Sequence, residues 1–214
     1  MRKVVLKMSV SIDGFVSGPN GEIDWIFKSV DADAKAWVVN ILSGAGVHIM
    51  GSRTFRDMAA YWPASTEPFA APMNEIPKVV FSQKGFTPSQ AGEFTTTAFK
   101  DASGARRADS YSSNARSVWE TSWANSKVAS GDIAEEIAHL KQQQGNYILA
   151  HGGAQFARSL TKLGLIDEYR LLVHPVALGS GLPIFSALPK PVHLKLLDIT
   201  TFPTCIVAYV YQPV

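Results

Sequence analysis

The sequence predicts an α/β fold: a largely parallel sheet with flanking helices and an antiparallel C-terminal edge. Three observations carry this. Short apolar runs of strand character alternate with stretches of helical period along most of the chain. The last two strands, 192–198 and 205–211, follow each other closely enough to pair as a hairpin. The length of 214 residues fits a single domain spanning 1–214.

The elements follow in order. Val4, Leu6, Met8, Val10 and Ile12 alternate with Val5, Lys7, Ser9 and Ser11, which is the period of a strand. Asp13-Gly14 and the run Ser17-Gly18-Pro19-Asn20-Gly21 are turn chemistry suited to a loop over a ligand or to a plain surface connection. Ala34, Trp37, Val38, Ile41 and Leu42 mark a helix, with Asp31 or Asp33 as its N-cap and Gly44 and Gly46 at its end. A strand is expected at 47–50. A helix through Phe55, Met58, Ala59 and Trp62 follows, stopped by Pro63, and then a strand at 78–81.

Residues 84–118 hold no sustained period and read as a long loop insertion. Regular structure returns near 127–129. Asp132 and Glu135 then form a capping box for a helix through Ile133, Ile137 and Leu140. A strand at 146–150 leads through His151-Gly152-Gly153 into a helix with Phe156, Ala157, Leu160 and Leu163, closed by Gly164. A strand at 169–174 precedes the final hairpin.

Composition narrows the function. The one cysteine, Cys205, excludes an internal disulfide and a Cys-rich metal site. The five histidines are dispersed and lack metal-binding spacing, so no metal is expected. A net charge of +2 argues against a nucleic-acid partner. No run is long enough to span a membrane, and the N-terminus is a poor signal peptide, so a cytoplasmic location is expected.

Two places could carry chemistry, and they share one design. The strand at 47–50 runs into Gly51-Ser52-Arg53-Thr54 and a helix. The strand at 146–150 runs into Gly152-Gly153-Ala154-Gln155 and a helix. Each brings the positive end of a helix, with free amides, to the carboxyl end of a strand, where anions bind and glycine allows close approach. Two such places suit a ligand with several phosphates. The plain alternative is that turns need glycine.

An ordered set of segments runs through the chain: Ser11-Ile12-Asp13-Gly14, Met50-Gly51-Ser52-Arg53-Thr54-Phe55, Tyr61-Trp62-Pro63, Val79-Val80-Phe81-Ser82, Gly152-Gly153-Ala154, Leu165-Ile166-Asp167-Glu168, His174-Pro175-Val176 and Leu178-Gly179. Together they resemble the dihydrofolate-reductase-like superfamily, closest to the reductase domain of bifunctional riboflavin-biosynthesis deaminase-reductases. The resemblance covers the chain except 84–118. It implies an eight-stranded, mostly parallel sheet and an NADPH cofactor. It also implies a reductase of a small heterocycle: a riboflavin-pathway pyrimidine, as in 5-amino-6-(5-phosphoribosylamino)uracil reductases, or a pteridine.

By the same resemblance, Gly51, Ser52, Arg53, Thr54, Gly152, Gly153, Ala154 and Gln155 cradle the cofactor phosphates. Ser82 sits near the adenosine 2′-phosphate, the nicotinamide rests by Asp13 and Gly14, and the Gly152–Gly153 peptide is cis. The chain departs from folate reductases at Ser52, Ile76 and Val173, and from the riboflavin branch at His151, where glutamate is common. True dihydrofolate reduction is therefore one alternative, and a non-catalytic nucleotide-binding module on the same fold is another.

Protonation of the substrate needs an acid. Of Asp13, Asp24, Asp31 and Asp33, the choice falls on Asp33 and Asp31, whose competing role is helix capping. Trp25, Phe55 and Trp62 are candidates to line the heterocycle pocket, with core packing as their plain alternative. Arg106, Arg107 and Arg116 of the insertion could approach the 2′-phosphate. The long apolar C-terminal hairpin predicts a homodimer, since an uncovered edge invites pairing.

Overall fold

The computed structural model describes residues 1–88 and 115–214. Its main sheet is built from β1 (Val4–Ser11), β3 (Val47–Gly51), β4 (Lys78–Phe81), β5 (Lys127–Ala129), β6 (Ile148–His151), β7 (Glu168–His174), β9 (Leu194–Thr201) and β10 (Val207–Pro213). β2 (Phe15–Ser17) and β8 (Leu182–Pro183) form a separate antiparallel ribbon. The strand order is β5-β4-β3-β6-β1-β7-β10-β9. Every pairing from β5 to β7 is parallel, and β10 turns the sheet antiparallel against β7 and β9. This is the mostly parallel sheet with an antiparallel end that the alternation of segments predicts.

The alternation in β1 sorts its side chains onto two cores. Val4, Leu6, Met8 and Val10 pack on one face with Ile137 and Leu140 of α6 (Ile133–Gln142) and Phe156 and Leu160 of α7 (Ala154–Lys162). Val5 packs on the other face with Val38 and Leu42 of α2 (Ala32–Ser43), Phe55 and Ala59 of α3 (Ser52–Tyr61), and Met73 of α4 (Ala70–Glu75). Helices on both faces leave the carboxyl ends of β1, β3 and β6 as the place where a ligand can reach the sheet.

The structure moves some boundaries and adds elements. β1 stops at Ser11, because Ser11 Oγ donates to the Asp13 carboxylate and accepts from the Phe15 amide, turning the chain. β10 begins at Val207 because Cys205 takes a left-handed φ of 63° inside the hairpin turn, which Phe202 N–Ile206 O and Cys205 N–Phe202 O bonds close. α1 (Asp24–Ser29) and α4 are six residues each, too short to print a period on the sequence. They are held by what they pack on, as Trp25 of α1 is edge-on to His174 at 5.3 Å.

Of the expected insertion at 84–118, the middle part, with Arg106 and Arg107, lies outside the described residues. The segment that follows it is helical, α5 (Ala115–Val118), and continues as a π-turn over Trp119–Trp123. Trp123 is fully buried and donates to Asn74 Oδ1 at 2.7 Å. Among the described residues no helix is long and apolar enough to cross a membrane.

Candidate active site

The two glycine-bearing junctions meet. β3 and β6 are neighbours in the sheet, so Gly51 at the head of α3 and Gly153 at the head of α7 open side by side. Neither helix has a side-chain cap, whereas Asp31 and Asp132 cap α2 and α6. The first-turn amides of α3 and α7 therefore lack intrahelical partners and keep their positive end for an anion.

Thr54 Oγ1 donates to the Gly152 carbonyl at 3.3 Å and ties the two turns together. Gly153 has φ 87°, and a Cβ there would stand 2.5 Å from Thr54 Oγ1. A Cβ at Gly152 would stand 2.2 Å from Met8 Sδ. Gly153 is demanded by its left-handed backbone, while a Cβ at Gly152 would require the long Met8 side chain to move aside. The peptide between them is trans, as every peptide of the described residues is, which corrects the cis bond that the resemblance implies. The left-handed φ of Gly153 makes the turn instead.

These junctions wall a cleft of about 770 Å³. Gly51, Ser52, Arg53, Thr54, Ser82, Gly152, Gly153, Ala154 and Gln155 all line it. Nine candidate residues from three separate stretches thus come together at the carboxyl ends of β3, β4 and β6.

The other candidates lie elsewhere. Asp13 accepts hydrogen bonds from Ser11 Oγ at 2.6 Å, Gly179 N at 2.7 Å and Leu178 N at 3.1 Å; these bonds, the first above all, hold its carboxyl below the usual range. It clasps the turn after β1 to the 178–179 segment, while Gly14 takes φ 88°, and neither lines the cleft. Asp31 accepts from the Ala34 amide at 2.8 Å and from Thr204 Oγ1 at 2.9 Å, so it is the cap of α2 and an anchor for the β9–β10 turn.

Asp33 is exposed in the first turn of α2. Neither aspartate lines the cleft, so their placement does not support the protonation role expected for them. Trp25, Phe55 and Trp62 are also absent from the cleft walls. Phe55 is fully buried against Trp123, and Trp62 stacks edge-on with Tyr61 and Phe69. Their helical spacing served core packing.

The cleft is completed by residues to which the sequence reading gave no role in a site. Lys7 and Ser9 of β1 line its floor beside His151 of β6. Ile23, Ile26 and Met58 give it an apolar wall, and the buried Asp57 of α3 also lines it. The signal was available: lysine and serine in the middle of a strand buried on both faces are out of place unless a site needs them. Burial holds the Lys7 amine down at about 8.

His151 is buried, its ring edge-on to that of His48 at 4.5 Å, and its Nε2 lacks a hydrogen-bond partner. Burial first, then the nearby cations, keep it neutral well below the usual histidine range. His48, which shares a 3.3 Å contact between its Nε2 and the Leu42 carbonyl, is held at about 4 by burial.

Comparisons with known proteins agree with this architecture. The Bacillus subtilis protein YyaP is 28% identical over 212 residues, covering 99% of this chain and 95% of its own. The structure of a Shewanella sp. PV-4 protein assigned to riboflavin biosynthesis superposes with a TM-score of 0.69 at 17% identity, covering 100% of this chain and 99% of that one. The bifunctional diaminohydroxyphosphoribosylaminopyrimidine deaminase/5-amino-6-(5-phosphoribosylamino)uracil reductase of Thermotoga maritima superposes with a TM-score of 0.63 at 15% identity. That match covers 100% of this chain but only 57% of the bifunctional enzyme. The model of the RibD C-terminal domain matches residues 2–208. With its sheet, its paired glycine junctions and that match over nearly its whole length, the chain belongs to the RibD C-terminal domain family.

Proposed function

We propose that this protein is an NADPH-dependent reductase of a small heterocycle, a riboflavin-pathway-type pyrimidine or a pteridine. The observation that carries the reading is the pair of uncapped helix N-termini, side by side at the ends of β3 and β6, opening on one cleft. A dinucleotide has two linked phosphates, and two adjacent helix ends suit it. The cleft volume falls within the usual range of small-molecule sites, roughly 300–1,000 Å³.

When bound, the nicotinamide supplies the hydride. The chain's part is to hold and exclude. The amides at the start of α3 and α7 hold phosphate oxygens. Arg53 adds a fixed charge, and Ser82 at the end of β4 offers a hydroxyl. Ile23, Ile26 and Met58 keep water from the reacting ring, which strengthens every polar contact inside.

Self-association belongs to the same proposal. In β9, Leu196 and Ile199 are 46% and 51% exposed, and they stand in register with Tyr211 and Tyr209 of β10. This face carries no charge in those pairs, so an identical face from a second copy covers it without burying an ion.

The test is titration with NADPH and NADH, then NADPH oxidation against 5-amino-6-(5-phosphoribosylamino)uracil, a pteridine panel and dihydrofolate. Turnover of the uracil or a pteridine supports the reading. Turnover of dihydrofolate alone makes the protein a folate reductase, and tight NADPH binding without consumption makes it a binding module.

A further inference from the structure

We propose that His174 is a positioning residue: through Ser29 and Trp25 it fixes α1, so that another flank of α1 presses on the ring at the nicotinamide end of the cofactor. This deepens the reductase reading and rests on it. His174 closes β7, in register with Ser11 of β1. Its Nδ1 shares a 2.7 Å hydrogen bond with Ser29 Oγ, and its ring meets that of Trp25 edge-on at 5.3 Å. Trp25 and Ser29 are four residues apart, so they share one face of α1. Ile23, at the N-cap, and Ile26 stand on another flank and line the cleft.

A helix of six residues does not persist on its own hydrogen bonds. Ile23 gives it no side-chain cap, and the Lys28–Asp24 ion pair is internal to it. The Ser29–His174 bond and the buried Trp25 ring tie it to the sheet. His174 itself is fully buried, and its Nε2 has no hydrogen-bond partner. An apolar side chain would fill that space without leaving a polar atom unpaired. The histidine is kept for its other nitrogen, the one that holds Ser29. Burial first, then the Lys7 charge, holds the ring at about 4, so it is neutral near pH 7 and the bond keeps one form there.

The sheet order says which ring meets this wall. The two phosphate junctions end β3 and β6. β4 lies on one side of that pair, and β1 and β7 lie on the other. A dinucleotide laid across the junctions has one ring toward β4 and the other toward β1 and α1. Ser82 and Lys84 follow β4 and line the cleft, where a hydroxyl and a cation suit the 2′-phosphate of the adenosine end. The nicotinamide end is then the one against Ile23 and Ile26. An apolar wall there excludes water from the ring that gives up the hydride.

The experiment measures the affinities of NADPH and of 2′-phospho-ADP-ribose, which keeps every phosphate and lacks the nicotinamide, by calorimetry. Their ratio reads the grip on the nicotinamide ring alone. The wild-type protein is expected to bind NADPH at least about tenfold more tightly than the analogue. Ser29→Ala and His174→Phe should each lower that ratio about fivefold, the size of one net hydrogen bond, with the analogue's affinity unchanged. Ser29→Thr keeps the hydroxyl and should keep the ratio. The fluorescence of bound NADPH should become open to quenching by acrylamide in the first two variants and stay shielded in the third. Neither Ser29 nor His174 lines the cleft, so a direct contact with the cofactor does not account for such a pattern.

If His174→Phe does not fold, as judged by its melt, Ser29→Ala decides alone. The inference is overturned by a wild-type ratio near one, or by a ratio that survives Ser29→Ala. Both affinities falling together would make the role merely structural, and an equal loss in Ser29→Thr would take the hydroxyl out of it; either overturns it. If neither NADPH nor the analogue binds, the reductase reading fails and this inference fails with it. Binding of both with the ratio unmoved by the variants removes the inference and spares the reading.

Discussion

Thr54 and Gly152, far apart in the chain, are joined by a hydrogen bond from the threonine hydroxyl to the glycine carbonyl at 3.3 Å. The bond locks the head of α3 to the turn that leads into α7. It makes one cradle of two junctions that are each unremarkable alone.

Removing the lock should loosen the cradle. Thr54→Val keeps the shape and loses the donor, so NADPH binding should weaken by about fivefold, the equivalent of about 1 kcal/mol for a net hydrogen bond. Gly153→Val should do more. Its left-handed backbone costs a branched residue about 1–3 kcal/mol, and its Cβ would meet Thr54 Oγ1. Calorimetric affinity and thermal melts of both variants check this. Affinity that falls no further than stability does would remove the phosphate role.

Acid should unfold the protein early. His48 is held at about 4 in the folded state, against about 6.5 when unfolded. A depressed histidine leaves the unfolded chain binding more protons between those values. Its contribution is thus intact above about pH 6.5 and is lost as pH falls toward 4. From pH 7 to pH 5 this amounts to about 2 kcal/mol for His48 alone. Urea unfolding at the two pH values should show the loss, and His48→Gln should reduce it. An unchanged pH slope in the variant would contradict the assignment.

Asp31→Asn and Asp33→Asn should both keep NADPH-dependent turnover. Asparagine still caps α2 at position 31, although the charged bond to Thr204 weakens and the melting temperature falls. Asp33 is exposed, and its replacement should change little. Turnover lost by either variant with its fold intact would return these carboxylates to the chemistry.

Light scattering at micromolar concentration should give twice the chain mass of 23.2 kDa. Replacing Leu196 and Ile199 by glutamate puts four charges into the proposed twofold contact and should yield a monomer. A wild-type monomer would reject the self-association.

Local chemistry made much of this protein legible before its fold. The two-residue period of β1, the helical period of α2 and the Asp132 cap of α6 depend on near neighbours, and each stands where the pattern predicts. The glycines at 51, 152 and 153 were legible for the same reason, since a strand-to-helix turn is a local event. The competing roles of Asp31, Phe55 and Trp62 were visible but undecided. Cap or acid, and core or pocket, depend on which way an element faces in the packed protein, and there Asp31 caps α2 and Phe55 is buried against Trp123.

Tertiary structure alone decided the floor of the cleft. Lys7 and His151 become neighbours only because β6 pairs with β1 in a parallel register. No period or motif encodes that register. It follows from burying two apolar faces at once, and it brings Lys7 and His151 together in the cleft.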